Sequence, residues 1–287
     1  MKRLQRGLED LSPLFQPAGQ PAPVSHQASL ASPFEVQFVS VCVPEHEGDA
    51  FFANAFLASQ MIQRTDLLAS LVSVVPGMNA AAAKTRDGFP ALELLDSRIS
   101  RLSLSHQELW SFTKQGPVRP EASHPKPNGL APFLIFLEFE PSQFRSLAHI
   151  ALLLDRVILF LQPDVESLRE GYRVMKILWN LNREIEFFLL FRSGERRSGK
   201  GGFFFERFSL ITSRFLGISP RWLGDLAFPG KRMEAVEIEA ATRFNPEPIL
   251  TAEGLKRPLS PEKQRCWMSL RDILARRYRH EPSTLVK

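Results

Sequence analysis

The residues best suited to chemistry form a phosphate-loop pattern in the last third of the chain. Gly194, Gly199 and Lys200 are spaced as in G-x-x-x-x-G-K, after a strand-like apolar run and before the apolar stretch 203–216. Glycines let backbone N–H groups approach phosphate oxygens, and the lysine ammonium neutralises phosphate charge. Gly201 follows Lys200, where a Ser or Thr hydroxyl would bind Mg²⁺. The pattern predicts a phosphate loop without its magnesium ligand. The alternative is an exposed basic loop, which would have the same residues.

Other catalytic and metal-binding patterns are absent from the sequence. The only cysteines are Cys42 and Cys266, and the six histidines form no HxxxH or HExxH pair. No disulfide framework or zinc-ligand spacing is present. The formal charge of +5 allows an anionic partner. Because no helix-turn-helix or RNP signature occurs, nucleic acid is the disfavoured partner.

The elements that position these residues alternate along the chain. Apolar, partly β-branched runs predict strands, and helical periodicity predicts helices between them. The predicted strands are 36–43, 67–75, 133–139, 156–161 and 185–191, and the predicted helices are 50–62, 91–114 and 165–180. Apolar strands that alternate with helices indicate an α/β fold, with a mostly parallel sheet and helices on both faces.

The N-terminal region divides into a short helix and a linker. Residues 1–15 form a short amphipathic segment with apolar side chains at helical spacing, Leu8, Leu11, Leu14 and Phe15 among them. Residues 16–33 are rich in Pro, Ala, Ser and Gln and predict a disordered linker. We therefore place the α/β domain at 34–255. The N-terminal segment is expected to bind a groove of a protein partner, or else to fold back onto its own domain.

The C-terminal region 261–280 has the pattern of a basic amphipathic helix. Apolar and basic side chains lie near one another on it: Trp267, Leu270, Arg271, Ile273, Leu274, Arg276 and Arg277. Such a helix binds an anionic membrane surface. The alternative is a helix that packs on the domain with its arginines in water.

The middle of the chain resembles the MinD/ParA group of P-loop ATPases. In the segment 133–178, Asp155, Val157, Pro163, Ser167 and Tyr172 stand at the positions of that family's pattern. Asn54 lies in AFFANAFLAS, which is similar to the family's first helix. The resemblance covers roughly residues 34–250 and implies a three-layer P-loop NTPase-like sandwich. It also implies a C-terminal membrane helix and, from flagellar relatives, an N-terminal partner-binding segment.

The first loop departs from the family's Walker A motif, which the resemblance places between the first strand and helix. The family's lysines, glycines and Mg²⁺-binding hydroxyl are missing there. The loop reads Pro44, Glu45, His46, Glu47, Gly48, Asp49 and Ala50. Three carboxylates thus replace the groups that bind phosphate. Two like charges about 4 Å apart cost roughly 4 kcal/mol at an effective dielectric near 20. This degenerate nucleotide loop predicts that no nucleotide is bound.

A second family position, the Walker B acid, falls on Glu138 or Glu140 at the end of a strand. Either carboxylate could bind a metal, but a strand-end carboxylate is more often a solvated group. With no catalytic or metal-binding residue assigned, no cofactor is expected. ATP and Mg²⁺ enter only if a non-standard loop, such as Gly194–Lys200, is functional.

The resemblance and its departure predict a non-catalytic scaffold or regulator. It would position or assemble a membrane-associated machine such as a flagellum, a pilus, or a secretion or polysaccharide-synthesis apparatus. The alternatives are a working ATPase of this type and a partition-type protein that binds nucleic acid nonspecifically. Family members dimerise around nucleotide, so a homodimer and a heterodimer with an active relative are both expected states. With no apolar stretch long enough to span a membrane, we expect a cytoplasmic protein, peripheral at most at the inner face of the membrane.

Overall fold

Eight strands and six helices occupy the part of the chain that the computed structural model describes. This part comprises residues 36–44, 50–63, 67–75, 92–115, 133–139, 148–193, 201–227, 245, 248–249 and 259–278. The strands are β1 Val36–Cys42, β2 Leu68–Val75, β3 Leu92–Asp96, β4 Ile99–Ser105, β5 Phe133–Glu138, β6 Arg156–Leu161, β7 Glu186–Ser193 and β8 Arg221–Ala227. The helices are α1 Ala50–Gln63, α2 His106–Gln115, α3 Ala148–Ala151, α4 Val165–Leu181, α5 Gly201–Leu216 and α6 Pro261–Tyr278.

The strands form one sheet in the order β3-β4-β2-β5-β1-β6-β7-β8. Strands β4, β2, β5 and β1 pair in parallel, and so do β6, β7 and β8. Every residue of β1 and of β6 is buried. Strands that are buried on both faces are typical of parallel sheets with helices on both sides. The structure therefore confirms the predicted α/β fold with a mostly parallel sheet.

Two compact units divide the chain. The β2–β5 unit comprises residues 33–40, 53–155 and 253–287, and the β6–β8 unit includes residues 41–52 and 156–252. In the β2–β5 unit, helix α6 packs on α2, which follows β4 directly. The helix α2 begins with a capping arrangement in which the Ser105 N–H donates to Glu108 Oε2 at 2.8 Å and the Glu108 N–H donates to Ser105 Oγ.

In the β6–β8 unit, α4 shows how the sequence sets a helix boundary. The Asp164 side chain accepts a hydrogen bond from the Ser167 N–H at 2.9 Å, which satisfies a backbone donor of the first turn. Ser167 Oγ in turn accepts a hydrogen bond from the Gln162 N–H at 2.8 Å, which holds the residues between the end of β6 and the start of α4 in place. The buried face of α4 includes Leu168, Val174, Met175 and Leu178. Ser167, a family-pattern residue, thus has a structural role.

A glycine shapes the edge strand β8. Its register against β7 shifts so that Leu189 pairs with Trp222 and Leu190 with Gly224. Gly224 adopts a φ of 116°, which other residues rarely adopt. A positive φ at such an irregularity is typical of a β-bulge, so the glycine is required by the backbone.

One predicted element is wrong. Residues 91–114 are not one helix, because β3 and β4 form an antiparallel hairpin across 92–105 and only α2 is helical. In β4 the buried residues Leu102 and Leu104 alternate with Arg101, Ser103 and Ser105. This period of two is the signature of a strand, and it outweighs the helix propensity of the many leucines.

Candidate functional site

The predicted Walker B position lies at the end of β5. Glu138 is the last residue of that strand, and its neighbour in the register of β2 is Ser73. The Ser73 hydroxyl donates a hydrogen bond to Glu138 Oε2 at 2.6 Å. The carboxyl ends of parallel strands meet at the edge of the sheet where α/β proteins bind ligands. Glu138 therefore has the position of a ligand-binding carboxylate but is already engaged by Ser73.

The surroundings of the Glu138 side chain favour its neutral, protonated form more than water does. Burial raises the pKa of Glu138 above its usual value, while the Ser73 hydrogen bond and the positive charge of Arg101 lower it. Arg101 lies on β4, in register with Leu71 of β2. Burial is the largest of these effects, so this site holds a carboxylate that water solvates poorly. Glu140, the alternative Walker B position, lies outside the described residues.

The donor set does not fit a magnesium-bound polyphosphate. Of the degenerate nucleotide loop, the structure describes only Pro44 after β1 and the backbone of Ala50 at the start of α1, and 45–49 lie outside it. The sequence supplies three carboxylates in that interval and no lysine, arginine, serine or threonine. Among the described residues, no group of three or more His, Cys, Asp and Glu side chains could hold a metal ion. Phosphate binding needs cations as well as backbone donors, and the side chains of 45–49 include no lysine or arginine.

The alternative phosphate loop has the expected context of strand, loop and helix. Strand β7 ends at Ser193 and α5 begins at Gly201, while Gly194, Gly199 and Lys200 lie between, outside the described residues. The buried Asp225 of β8 lies against Gly201, so closely that a Cβ atom at Gly201 would collide with its carboxylate. A negative charge is favourable at a helix N-terminus, where unsatisfied N–H groups give a partial positive charge. Asp225 thus competes with any phosphate for the start of α5.

The C-terminal helix α6 packs on its own unit. Trp267 is 3% exposed, and Leu270 and Leu274 are equally buried. Arg265 Nε donates to the Thr113 carbonyl oxygen of α2 at 2.7 Å. Arg271 and Ile273 are half-buried, and the side chains of Arg276 and Arg277 lie outside the described residues. In this packed state the three buried side chains are not available to a bilayer, so membrane binding through them requires the helix to leave the domain.

A buried ion pair anchors α6. Lys263 Nζ donates to Asp155 Oδ1 at 2.5 Å and to the Leu154 carbonyl oxygen at 3.5 Å. The Phe38 N–H of β1 donates to Asp155 Oδ2 at 2.9 Å, and the Asp155 N–H donates to the Phe38 carbonyl oxygen at 2.9 Å. Asp155, which the sequence resemblance singled out, therefore joins β1 to α6 and has a structural role here.

Several residues of these clusters could not be found from sequence motifs. Lys263, Ser73, Arg101 and Asp225 belong to no local pattern, since each acquires its partner from a distant strand or helix. The predicted partner-binding residues Leu8, Leu11, Leu14 and Phe15 lie outside the described residues. No helix within the described ranges is long and apolar enough to cross a membrane.

Comparisons with known proteins found similar proteins only among solved structures. No family model and no curated protein matches the chain. A MinC:MinD cell division protein complex from Aquifex aeolicus is similar at 13% identity, over 88% of this chain and 98% of that chain, with a TM-score of 0.43. A ParA family ATPase from Chlorobium tepidum is similar at 11% identity, over 82% and 97%, with a TM-score of 0.41.

A plasmid partition protein from Borrelia burgdorferi is similar at 11% identity, over 67% of this chain and 90% of that chain, with a TM-score of 0.41. Identities and TM-scores this low carry no function to the chain. What it does has to be inferred from its own residues.

Proposed function

We propose that this protein is a non-catalytic scaffold or regulator of the MinD/ParA type, which acts in positioning or assembly of a membrane-associated machine. The observation that carries the proposal is the replacement of phosphate-binding groups by carboxylates. Glu45, Glu47 and Asp49 lie in the interval between β1 and α1, and no lysine or arginine accompanies them. Glu138, the one described carboxylate at the Walker B position, accepts a hydrogen bond from Ser73.

The mechanism is binding rather than turnover. The sheet supplies a rigid platform, since β1 and β6 are buried throughout. The N-terminal segment with Leu8 and Leu11 recruits a protein partner through its apolar face. Family members dimerise around nucleotide. Without that bridge, a homodimer of this chain and a heterodimer with an active relative are both open.

Calorimetric titration of the full chain with ATP and ADP, with and without Mg²⁺, tests the proposal. We expect no heat of binding, because three carboxylates repel the polyphosphate. Circular dichroism of the same sample establishes that the protein is folded. Magnesium-dependent binding of ATP would overturn the non-catalytic assignment.

One observation favours a second candidate, a working ATPase that uses the loop Gly194–Lys200. That loop joins the end of β7 to the start of α5, which is the context that a phosphate loop requires. If ATP binds, Lys200→Ala is the decisive variant, with Lys176→Ala on α4 as its control. Loss of ATP binding in Lys200→Ala alone would assign the phosphates to this loop. Equal binding by both variants would exclude the loop.

A further inference from the structure

Two histidines from distant parts of the chain meet beside helix α2. His106 is the first residue of α2, and His149 lies in the short helix α3. Their ring centroids are 4.5 Å apart, and the ring planes are tilted by 47°. The Trp110 ring meets that of His149 in a T-shaped contact, with centroids 4.6 Å apart. We refer to His106 and His149 as the histidine pair, which has Trp110 beside it.

One nitrogen of each ring is buried without a hydrogen bond. The two side chains are only half-buried, but the Nε2 atoms of both His106 and His149 are shielded from solvent. Within the part of the chain that the structure describes, neither atom has a hydrogen-bond partner. Because a buried polar atom without a partner is unfavourable, such an atom in a folded protein calls for a bound water molecule or ion. Two such atoms on adjacent rings point to one partner that both rings share.

Both histidines lie on backbone that the fold itself holds in place. The capping arrangement described above fixes the first turn of α2, where His106 lies. In α3, Ile150 and Ala151 follow His149 directly and are buried. The Leu153 N–H donates a hydrogen bond to the Ile150 carbonyl oxygen at 2.9 Å, which continues the turn. The two rings are therefore positioned before any ligand binds, and a ligand between them does not have to order the chain.

We propose that the histidine pair binds a divalent transition-metal ion of the class of Zn²⁺, Ni²⁺ and Cu²⁺ through its two Nε2 atoms, with water in the remaining positions. These ions favour imidazole nitrogen, whereas Mg²⁺ and Ca²⁺ favour oxygen. A metal ion about 2.0–2.1 Å from each nitrogen keeps two rings at adjacent positions roughly 4.5–5 Å apart, centroid to centroid. The observed 4.5 Å fits this arrangement. The site is a two-ligand site, since no third His, Cys, Asp or Glu joins such a group among the described residues.

The charges around the histidine pair set its affinity. A metal ion binds a ring nitrogen that carries no proton. Burial lowers the pKa of His149 to about 4, and the charges of His106 and Lys114 lower it further, so the His149 ring is neutral at pH 7. The Lys114 ammonium lies 4.8 Å from the centroid of Trp110 and repels a cation at the pair. Removal of this charge should therefore strengthen metal binding.

Calorimetric titration of the full chain with Zn²⁺ at pH 7 tests the site. The chain carries no polyhistidine tag, and the buffer contains neither chelator nor nucleotide. We expect one Zn²⁺ per chain and no heat with Mg²⁺. His106→Gln and His149→Gln should each lower the Zn²⁺ affinity at least about tenfold, since even outer-shell partners of a metal contribute that much. The matched control His280→Gln also removes one imidazole and should bind like the unmodified chain. Lys114→Gln should raise the affinity at least about threefold.

Fluorescence locates the metal ion without a change in the histidines. Cu²⁺ quenches the emission of a tryptophan close to it, and it should bind more tightly than Ni²⁺. We expect Cu²⁺ to quench the unmodified chain, and most of this quenching to be absent in Trp110→Phe, because the Trp110 ring contacts His149. Circular dichroism of each variant establishes that it is folded.

Four outcomes would overturn the inference. These are no binding of Zn²⁺ or Cu²⁺ by the folded chain, unchanged affinity in both variants of the histidine pair, an equal loss in His280→Gln, and full quenching in Trp110→Phe. The first would mean that the two nitrogens serve a water molecule only, and the others would place the metal ion elsewhere. The inference goes beyond the proposed function and is independent of it, since no nucleotide enters these measurements.

Discussion

The Lys263 ammonium and the Asp155 carboxylate form an ion pair of 2.5 Å that joins the C-terminal helix to the turn before β6. The Lys263 side chain is 7% exposed and that of Asp155 is 29% exposed. Because the second oxygen of Asp155 accepts from the Phe38 N–H, the pair also stabilises the start of β1. A buried cation is tolerated only with such a partner, so this pair sets the position of α6.

Removal of one member of the pair should therefore destabilise the protein. We expect Asp155→Ala to lower the free energy of unfolding by about 3 kcal/mol, since it leaves a buried ammonium without its carboxylate. Urea unfolding followed by circular dichroism measures the change. Arg169→Gln on α4 breaks an exposed pair and should cost less than about 1 kcal/mol. Equal losses in the two variants would show that the Asp155 pair is no stronger than a surface pair.

The histidine pair between α2 and α3 predicts a dependence on pH. The ring centroid of His149 lies 4.5 Å from that of His106 and 4.6 Å from that of Trp110. Burial lowers the pKa of His149 from 6.5 to about 4, and the charges of His106 and Lys114 lower it as well. The unfolded chain thus binds more protons than the folded chain between these two values, and stability falls as pH falls through this range.

Replacement of His149 should weaken that dependence. We expect the urea midpoint of the unmodified chain to fall more between pH 7 and pH 4.5 than the midpoint of His149→Gln. Both proteins are measured in the same buffers at constant ionic strength. Identical slopes for the two proteins would mean that His149 is not the group that titrates.

Glu138→Gln should raise the urea midpoint at pH 7. Burial raises the pKa of Glu138, so the folded protein favours the protonated acid and the ionised form costs stability. Glutamine keeps an oxygen that can accept from the Ser73 hydroxyl and removes the charge. The difference in urea midpoint between Glu138→Gln and the unmodified chain should shrink as pH falls, because Glu138 then becomes protonated in the unmodified chain. A lower midpoint at pH 7 would indicate that the attraction to Arg101 exceeds the cost of burial.

Gly201→Ala should destabilise the protein by about 1–3 kcal/mol, because the added methyl group collides with the Asp225 carboxylate. Gly202→Ala is the neighbouring control, since its Cβ would lie 3.4 Å from the Trp222 ring. Alanine also favours the helix, so this control should change stability by less than about 1 kcal/mol. Thermal unfolding of both variants measures the difference. If Gly201→Ala unfolds like the control, Asp225 is free to move away from the start of α5.

The strands of this fold were more predictable from the sequence than the side-chain contacts between distant elements. Near-continuous apolar runs such as 156–161 predicted buried parallel strands, and helical periodicity predicted the helix at 165–180, which the structure has at Val165–Leu181. The hairpin at 92–105 was missed, because short leucine-rich segments fit a helix and a strand almost equally well. The alternation of buried and exposed residues extends over too few residues of this segment to decide between the two. The Ser73–Glu138 contact depends on the register between β2 and β5, which no local pattern specifies.

The order of synthesis gives the Lys263–Asp155 pair a further consequence. Lys263 follows Asp155 by 108 residues, and ribosomes add about 5–20 residues per second. Lys263 is therefore synthesised roughly 5–20 s after Asp155, whereas helices and hairpins form within microseconds. During that interval the face of α2 on which α6 later packs is accessible. The nascent chain accordingly passes through a state that chaperones and proteases can recognise, and arrival of α6 ends it.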